Sequence, residues 1–148
     1  MSWIFGPVRQ LGFVVRDMEA AMHHWSKNLG FGPFFYFPSV KMDDFQHRGK
    51  PQKIELGIAL ANDGDVQIEL IQQTNDAPSA YLEHLDAFGH AMHHTSAWTT
   101  DFDGDLSRIL GAGHVLLQSG RIGSNRFAYF ETQGNFPSTT MELYDVTG

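Results

Sequence analysis

The order strand, helix, three strands can be read twice along this chain, and that repetition constrains its fold more than any other feature. In the first pass, residues 8–15 are apolar apart from Arg9 and Gln10 and predict a mostly buried strand. Asp17 is placed to cap a helix. Met18, Ala21, Met22, Trp25 and Leu29 follow at helical spacing, and Gly30 supplies the stop. After the Gly32-Pro33 turn, Phe34, Phe35, Tyr36 and Phe37 form a short aromatic strand. Residues 38–52 are polar, contain Pro38, Gly49 and Pro51, and read as a loop or flap. Residues 54–61 predict a strand, and Asn62-Asp63-Gly64-Asp65 a tight turn. The returning strand, 66–72, puts Val66, Ile68 and Leu70 on one face and Gln67, Glu69 and Ile71 on the other.

The second pass begins after a linker at 73–79 and a short helix at 79–88 that ends at Gly89. It predicts a strand at 91–99, a helix at 102–110 and strands at 114–118, 127–131 and 140–144, with turns at Gly120, Gly123 and Gly134. The two passes match in detail. Gln10 lies seven residues before Asp17, and His94 seven before Asp101, each pair at a strand-to-helix junction. Glu69 and Glu142 each sit in the last strand of their half, in Ile68-Glu69-Leu70 and Met141-Glu142-Leu143. With 148 residues in all, neither half is large enough to bury its own core, so the two must share one. The expected organisation is a first module at 1–72, a linker with a short helix at 73–90 and a second module at 91–148, compacted into one domain.

Composition narrows the chemistry. There is no Cys, so disulfides and thiolates are excluded and a metal site must use N and O ligands. A net charge of -7 argues against a nucleic-acid partner. No stretch approaches the roughly 20 apolar residues of a membrane span, and Met1 to Val8 lacks the pattern of a secretory signal, so a cytoplasmic protein is expected.

Four polar residues occupy equivalent places in apolar strands: Gln10, Glu69, His94 and Glu142. A buried carboxylate is costly unless it is paired or binds a cation, and two on one concave face repel. A divalent ion removes both problems. One imidazole, two carboxylates and an amide oxygen suit Zn, Ni, Co, Mn or Fe. The competing reading is that Glu69 and Glu142 face solvent on half-exposed strands. His94 is one of eight His, and His23, His24, His84, His90 and His114 read as surface or packing residues. His93 points away from His94 if the strand is regular, and is then a core histidine or a partner behind the site.

These strings resemble the vicinal oxygen chelate superfamily of glyoxalase I, methylmalonyl-CoA epimerase, extradiol dioxygenases and antibiotic-resistance proteins. The likeness runs through residues 10–19 and Val66-Gln67-Ile68-Glu69-Leu70 in the first half. In the second it runs through Met92-His93-His94-Thr95-Ser96-Ala97-Trp98, Asp101, Phe127-Ala128-Tyr129-Phe130 and Met141-Glu142-Leu143. The resemblance implies an α+β fold in which paired βαβββ modules form a U-shaped mixed sheet around one metal. It places the four ligands on Gln10, Glu69, His94 and Glu142. A Gln, Glu, His, Glu set is similar to eukaryotic glyoxalase I, whereas the short chain and second-half strings look closer to the epimerase.

The implied activity is that of a metal-dependent isomerase, epimerase or lyase. It removes a proton next to a carbonyl, and the ion stabilises the enolate oxygen. Glu142 is the first base implied, Glu69 the second. Glu55 lies near the position of a further epimerase carboxylate; a solvent-facing strand residue is the other account of it. The expected substrate is a small carbonyl compound or thioester, and the expected assembly a homodimer. The alternatives are a metal-dependent ring-cleaving dioxygenase, disfavoured by Gln10, and a non-enzymatic binder of the bleomycin-resistance kind, disfavoured by the full ligand set. Trp98 shares a face with His94, Trp25 reads as helix-to-sheet core, and the run Phe34 to Phe37 reads as core or cavity wall. Arg48, Lys50, Arg121 and Arg126 are candidates for holding an anionic substrate group, or are plain surface cations.

Overall fold

Alternation along the first strand, β1 (Val8–Val14), sorts its side chains into two faces, with Gln10, Gly12 and Val14 buried on one of them. Each later strand repeats this sorting, and together they make one sheet with an inner and an outer face. The computed structural model describes residues 1–131 and 140–148, so the turn expected at Gly134 lies outside the described residues. After β1 come α1 (Met18–His23), which runs into a π-helical turn (His24–Asn28), then β2 (Phe35–Val40), β3 (Asp43–His47), β4 (Lys50–Pro51), β5 (Leu56–Asp63) and β6 (Val66–Gln73). The second half holds α2 (Ala80–Phe88), β7 (Ala91–Thr99), α3 (Phe102–Gly111), β8 (Val115–Ile122), β9 (Asn125–Glu131) and β10 (Thr140–Asp145).

The strand order is β2-β5-β6-β1-β7-β10-β9-β8-β3-β4, a mixed sheet of ten strands curled into a half-barrel. The two halves meet where β1 and β7 pair antiparallel, and β6 and β10 lie parallel on their outer sides. The repeat in the sequence is thus a repeat in space. Asp17 and Asp101 cap α1 and α3 through the backbone N–H groups of Ala20 and Gly104, at 3.0 and 3.1 Å. Both helices cover the outer face. Met18 of α1 packs on Ala59, Ile68 and Leu70, with Trp25 beside them, and Phe102 and Ile109 of α3 pack on Ala97, Phe130 and Leu143. The linker helix α2 does the reverse. Its Tyr81 and Leu85 enter the inner core with Val14, Ile58, Ile71, Phe127 and Tyr129.

Residues 38–52 are a correction to the expected flap. They carry the end of β2 and then β3 and β4, and β3 pairs with β8 of the other half, with His47 opposite Gln118. Only Lys41 and Met42 separate β2 at one end of the curled sheet from β3 near the other. The polar run misled because the strand is short and half-exposed, with only Phe45 and His47 buried. The β3–β4 turn uses Arg48 and Gly49, at φ of 51° and 75°, the positive pair that a tight hairpin requires. The strain at Arg48 is offset by its guanidinium, which donates to Glu83 (3.1 and 2.9 Å) and Glu131 (2.7 Å).

The aromatic run Phe34 to Phe37 is neither plain core nor plain cavity wall. Phe35, Tyr36 and Phe37 are 59%, 46% and 50% exposed, and β2 is the outermost strand on its side. Only Phe37 of these three reaches the inner cavity. No helix among the described residues is long and apolar enough to cross a membrane.

Candidate functional site

The four innermost strands each deliver one polar side chain to the inner face. Gln10 comes from β1, Glu69 from β6, His94 from β7 and Glu142 from β10, and all four are buried. Register places them together: Gly12 of β1 stands opposite both Glu69 and His94, while Ser96 of β7 stands opposite both Gln10 and Glu142. His94 Nε2 lies 3.0 Å from Gln10 Oε1 and 3.5 Å from both Glu69 Oε1 and Glu142 Oε2. Two donors bound to one ion at about 2.0–2.1 Å lie about 3.0–3.4 Å apart, so the Gln10 separation fits the edge of a coordination shell and the two glutamate separations lie just outside it. Among the described residues no three His, Asp or Glu side chains already stand in finished coordination geometry. The cluster is held by hydrogen bonds as it stands.

Space for the imidazole comes from Gly12. A Cβ there would overlap the His94 ring, so the site needs a residue without a side chain at this point of β1. Gln67, opposite Gln10, accepts from Gln10 Nε2 at 2.7 Å, which turns the Gln10 amide oxygen toward His94. His93 departs from expectation. Met92 opposes Phe13 and His94 opposes Gly12, so β7 carries one extra residue and bulges at His93. The bulge brings the neighbouring rings together, with Nδ1 to Nδ1 at 3.0 Å, and His93 packs in turn on His84 of α2. His84 is therefore a buried packing residue beneath the site. Tyr129 of β9, opposite Glu142, has its ring 5.0 Å from that of His94, and its hydroxyl is 3.1 Å from that of Tyr81.

Burial sets the charges. It pushes Glu142 up to about 7, with Ser96 and Tyr129 pulling part of the way back. Ser96 Oγ itself is buried without a hydrogen bond of good geometry. Glu69 is held well above the usual carboxylate range by burial first and by the charge of Glu142 second. His94 falls to about 3 through burial, then through His84, and His93 is likewise held well below its ordinary value. His94 is therefore neutral at pH 7, and its contacts with the two glutamates are not ion pairs. A neutral imidazole, an amide oxygen and two carboxylates that resist ionisation for want of positive charge form a donor set suited to a divalent cation.

A pH profile follows. The folded values of Glu69 and Glu142 lie above the unfolded 4.5, so their contribution to stability is full below 4.5 and is lost as pH rises, for Glu142 through about 7. Those of His93 and His94 lie below the unfolded 6.5, so theirs is full above 6.5 and is lost as pH falls, for His94 through about 3. Between 4.5 and 6.5 these two effects oppose each other. For protein held in chelator, the contribution of this cluster to Tm should be greatest within that interval and fall on both sides. Scanning calorimetry across pH, compared with a Glu69→Gln/Glu142→Gln double variant, checks it; an alkaline limb unchanged by the double substitution would refute it.

Among the other expected residues, Trp98 lines the cavity beside the cluster. Glu55 does not join it: it is exposed, lies just before β5 and is outside the cavity lining. Arg48 is committed to Glu83 and Glu131, Arg121 to Asp44, and Arg126 to Asp103, with its guanidinium over Phe102. Lys50 is exposed in β4 and outside the cavity lining. Gly12, Gln67 and Tyr129 were not anticipated. The signal was present as spacing, since Gly12 lies two residues after Gln10 and Gln67 two before Glu69, on the same faces.

The cavity in front of the cluster has a volume of about 380 Å³ and an apolar wall. The family model described as the Glyoxalase/Bleomycin resistance protein/Dioxygenase superfamily matches residues 9–130. No curated protein matches the sequence. Solved structures do match over nearly the whole chain. A hypothetical protein from Bacillus halodurans shares 13% identity, with 96% of this chain and 95% of the other covered and a TM-score of 0.69. A methylmalonyl-CoA epimerase variant from Streptomyces coelicolor, in complex with 2-nitronate-propionyl-CoA, shares 21% over 97% of this chain and 96% of the other, TM-score 0.65. The methylmalonyl-CoA epimerase of Mycobacterium tuberculosis shares 17% over 98% and 91%, TM-score 0.66. At these identities the likeness is one of fold.

Proposed function

Because the chain belongs to the glyoxalase/bleomycin resistance protein/dioxygenase superfamily, we propose that it is a divalent-metal-dependent isomerase or epimerase that moves a proton next to a carbonyl. The observation that carries this reading is the convergence of Gln10, Glu69 and Glu142 on His94 Nε2 at the wall of an apolar cavity. Those four side chains would hold the ion, which when bound would supply electrophilic stabilisation of the enolate oxygen. Glu142 is the base. The neighbouring Ser96 and Tyr129 steady its charged form. Glu69 reaches the cluster from the other half of the sheet, where it can hold or return a proton on the opposite side of a planar enolate. Both carboxylates are buried at the apolar wall, which limits their hydration without sealing the abstracted proton from exchange with solvent. A nitronate-bearing thioester in one structural neighbour supports the carbonyl or thioester class of substrate.

The test starts from protein stripped with chelator and titrated with Zn, Ni, Co, Mn or Fe(II). Uptake of one ion per chain is expected. At a hundredfold excess over Kd it adds about 2.7 kcal/mol, or roughly 5–10 °C in Tm for a chain of this size. Solvent deuterium should then enter the carbon next to the carbonyl of acyl-thioester, 2-oxo and hemithioacetal compounds. No stoichiometric uptake of any of these ions, or uptake unaffected by His94→Ala, would defeat the proposal.

A further inference from the structure

The cavity wall carries an instruction about charge. Phe37, Val40, Met42, Leu60, Trp98 and Ile122 face the space in front of the cluster, and among the described residues no Lys, Arg or His lines it. Residues 132–139, outside the described set, contain no Lys or Arg in their sequence either. The nearby arginines are spent elsewhere, on Glu83 and Glu131, on Asp44 and on Asp103. Among the described residues, the only groups lining the cavity that can carry charge at neutral pH are Glu69 and Glu142, and both are acidic. A divalent ion on them brings the sum to zero. A carboxylate held against the wall away from the ion would add a buried negative charge with no side-chain cation to meet it, which costs several kcal/mol.

We infer that the part of the substrate that enters this cavity is uncharged and hydrophobic: a neutral carbonyl compound bearing an aromatic or branched alkyl group. The inference rests on the proposed function for the position of the carbonyl, and on the wall itself for the rest. About 380 Å³ lies at the lower end of the roughly 300–1,000 Å³ typical of small-molecule sites. It admits a ring and a short chain, and any nucleotide-sized carrier must lie outside. Trp98 is the natural stacking partner for a ring, being on the face of His94 and half-exposed to the cavity.

A matched pair of ligands tests this. Benzylacetone and its para-carboxylate share the ketone and the ring and differ by one carboxylate group at the end remote from the ketone. Binding to zinc-supplemented protein is read from tryptophan fluorescence, with Trp98→Phe identifying the reporter. The neutral ketone should bind about 30-fold or more tightly than the carboxylate. Val146→Lys places a cation on an exposed part of the wall, since Val146 lines the cavity and is 42% exposed. It should close most of that gap by tightening the carboxylate alone. Affinities within about threefold of each other in the unaltered protein, or tighter binding of the carboxylate, would overturn the inference. So would saturable binding of neither ligand, or a signal that survives Trp98→Phe. The readout needs no turnover. If the neutral ketone binds and exchanges no deuterium with any ion, the enolate chemistry fails and this inference stands. If exchange occurs and the charged ligand is preferred, the reverse holds.

Discussion

Glu142→Gln should abolish most solvent-deuterium exchange, lowering its rate by about 10²–10⁴-fold, while leaving the fold intact. The substitution keeps the shape and an oxygen donor but removes the group that takes the proton. Stability should not fall, because the charged carboxylate it replaces is held at about 7 by burial and is unfavourable at neutral pH in protein without metal. Hydrogen-exchange kinetics and Tm on the same preparation separate the two effects. Glu69→Gln is the internal control. A larger loss there than at position 142 would transfer the principal role to Glu69. An unchanged exchange rate in both variants would remove the carboxylates from the chemistry altogether.

Gly12→Ala is the second large effect, and it acts without touching a donor atom. The new methyl group would occupy the space of the His94 ring. Either the imidazole swings away from Gln10 and the glutamates, or β1 separates from β6 and β7. Overpacking of this kind costs about 1–3 kcal/mol, and displacement of one ligand should weaken ion binding by about 10–100-fold or more. Calorimetry and metal titration of the variant measure both. Gly57→Ala is a useful contrast, since the nearest atoms to a Cβ there are 3.5 Å away, an ordinary contact distance. If Gly12→Ala bound metal as tightly as the unaltered chain, the placement of His94 over Gly12 would be wrong.

Much of this architecture was legible because it repeats. Asp17 and Asp101 mark helix starts in the sequence and cap helices in the fold. Gln10, Glu69, His94 and Glu142 stood out as polar residues in apolar strands, and they are the side chains that the four central strands bring together. What escaped reading is what pairing alone decides. No local signal says that β3 crosses to β8, because the choice of partner strand depends on how far the sheet curls. The bulge at His93 is likewise a property of two strands, and it overturns the rule that neighbouring residues face apart. The inner position of α2 depends on Tyr81 and Leu85 finding the concave core rather than the outer one, a difference that helical spacing does not encode.

The Lys41–Met42 link has a consequence for how the chain reaches this state. Asp43 pairs with Arg121, and His47 with Gln118, across about half of the sequence. A chain emerging from the ribosome can pair β1, β5 and β6 early, but β3 has only the two-residue β4 to pair with until β8 exists. Such distant pairings form slowly, because loop entropy is lost before any contact repays it. The hairpin of β3 and β4 is therefore a late-closing clasp. Until it shuts, Phe45 and the inner wall stay open to water, and the site that depends on that wall cannot form from the first half alone.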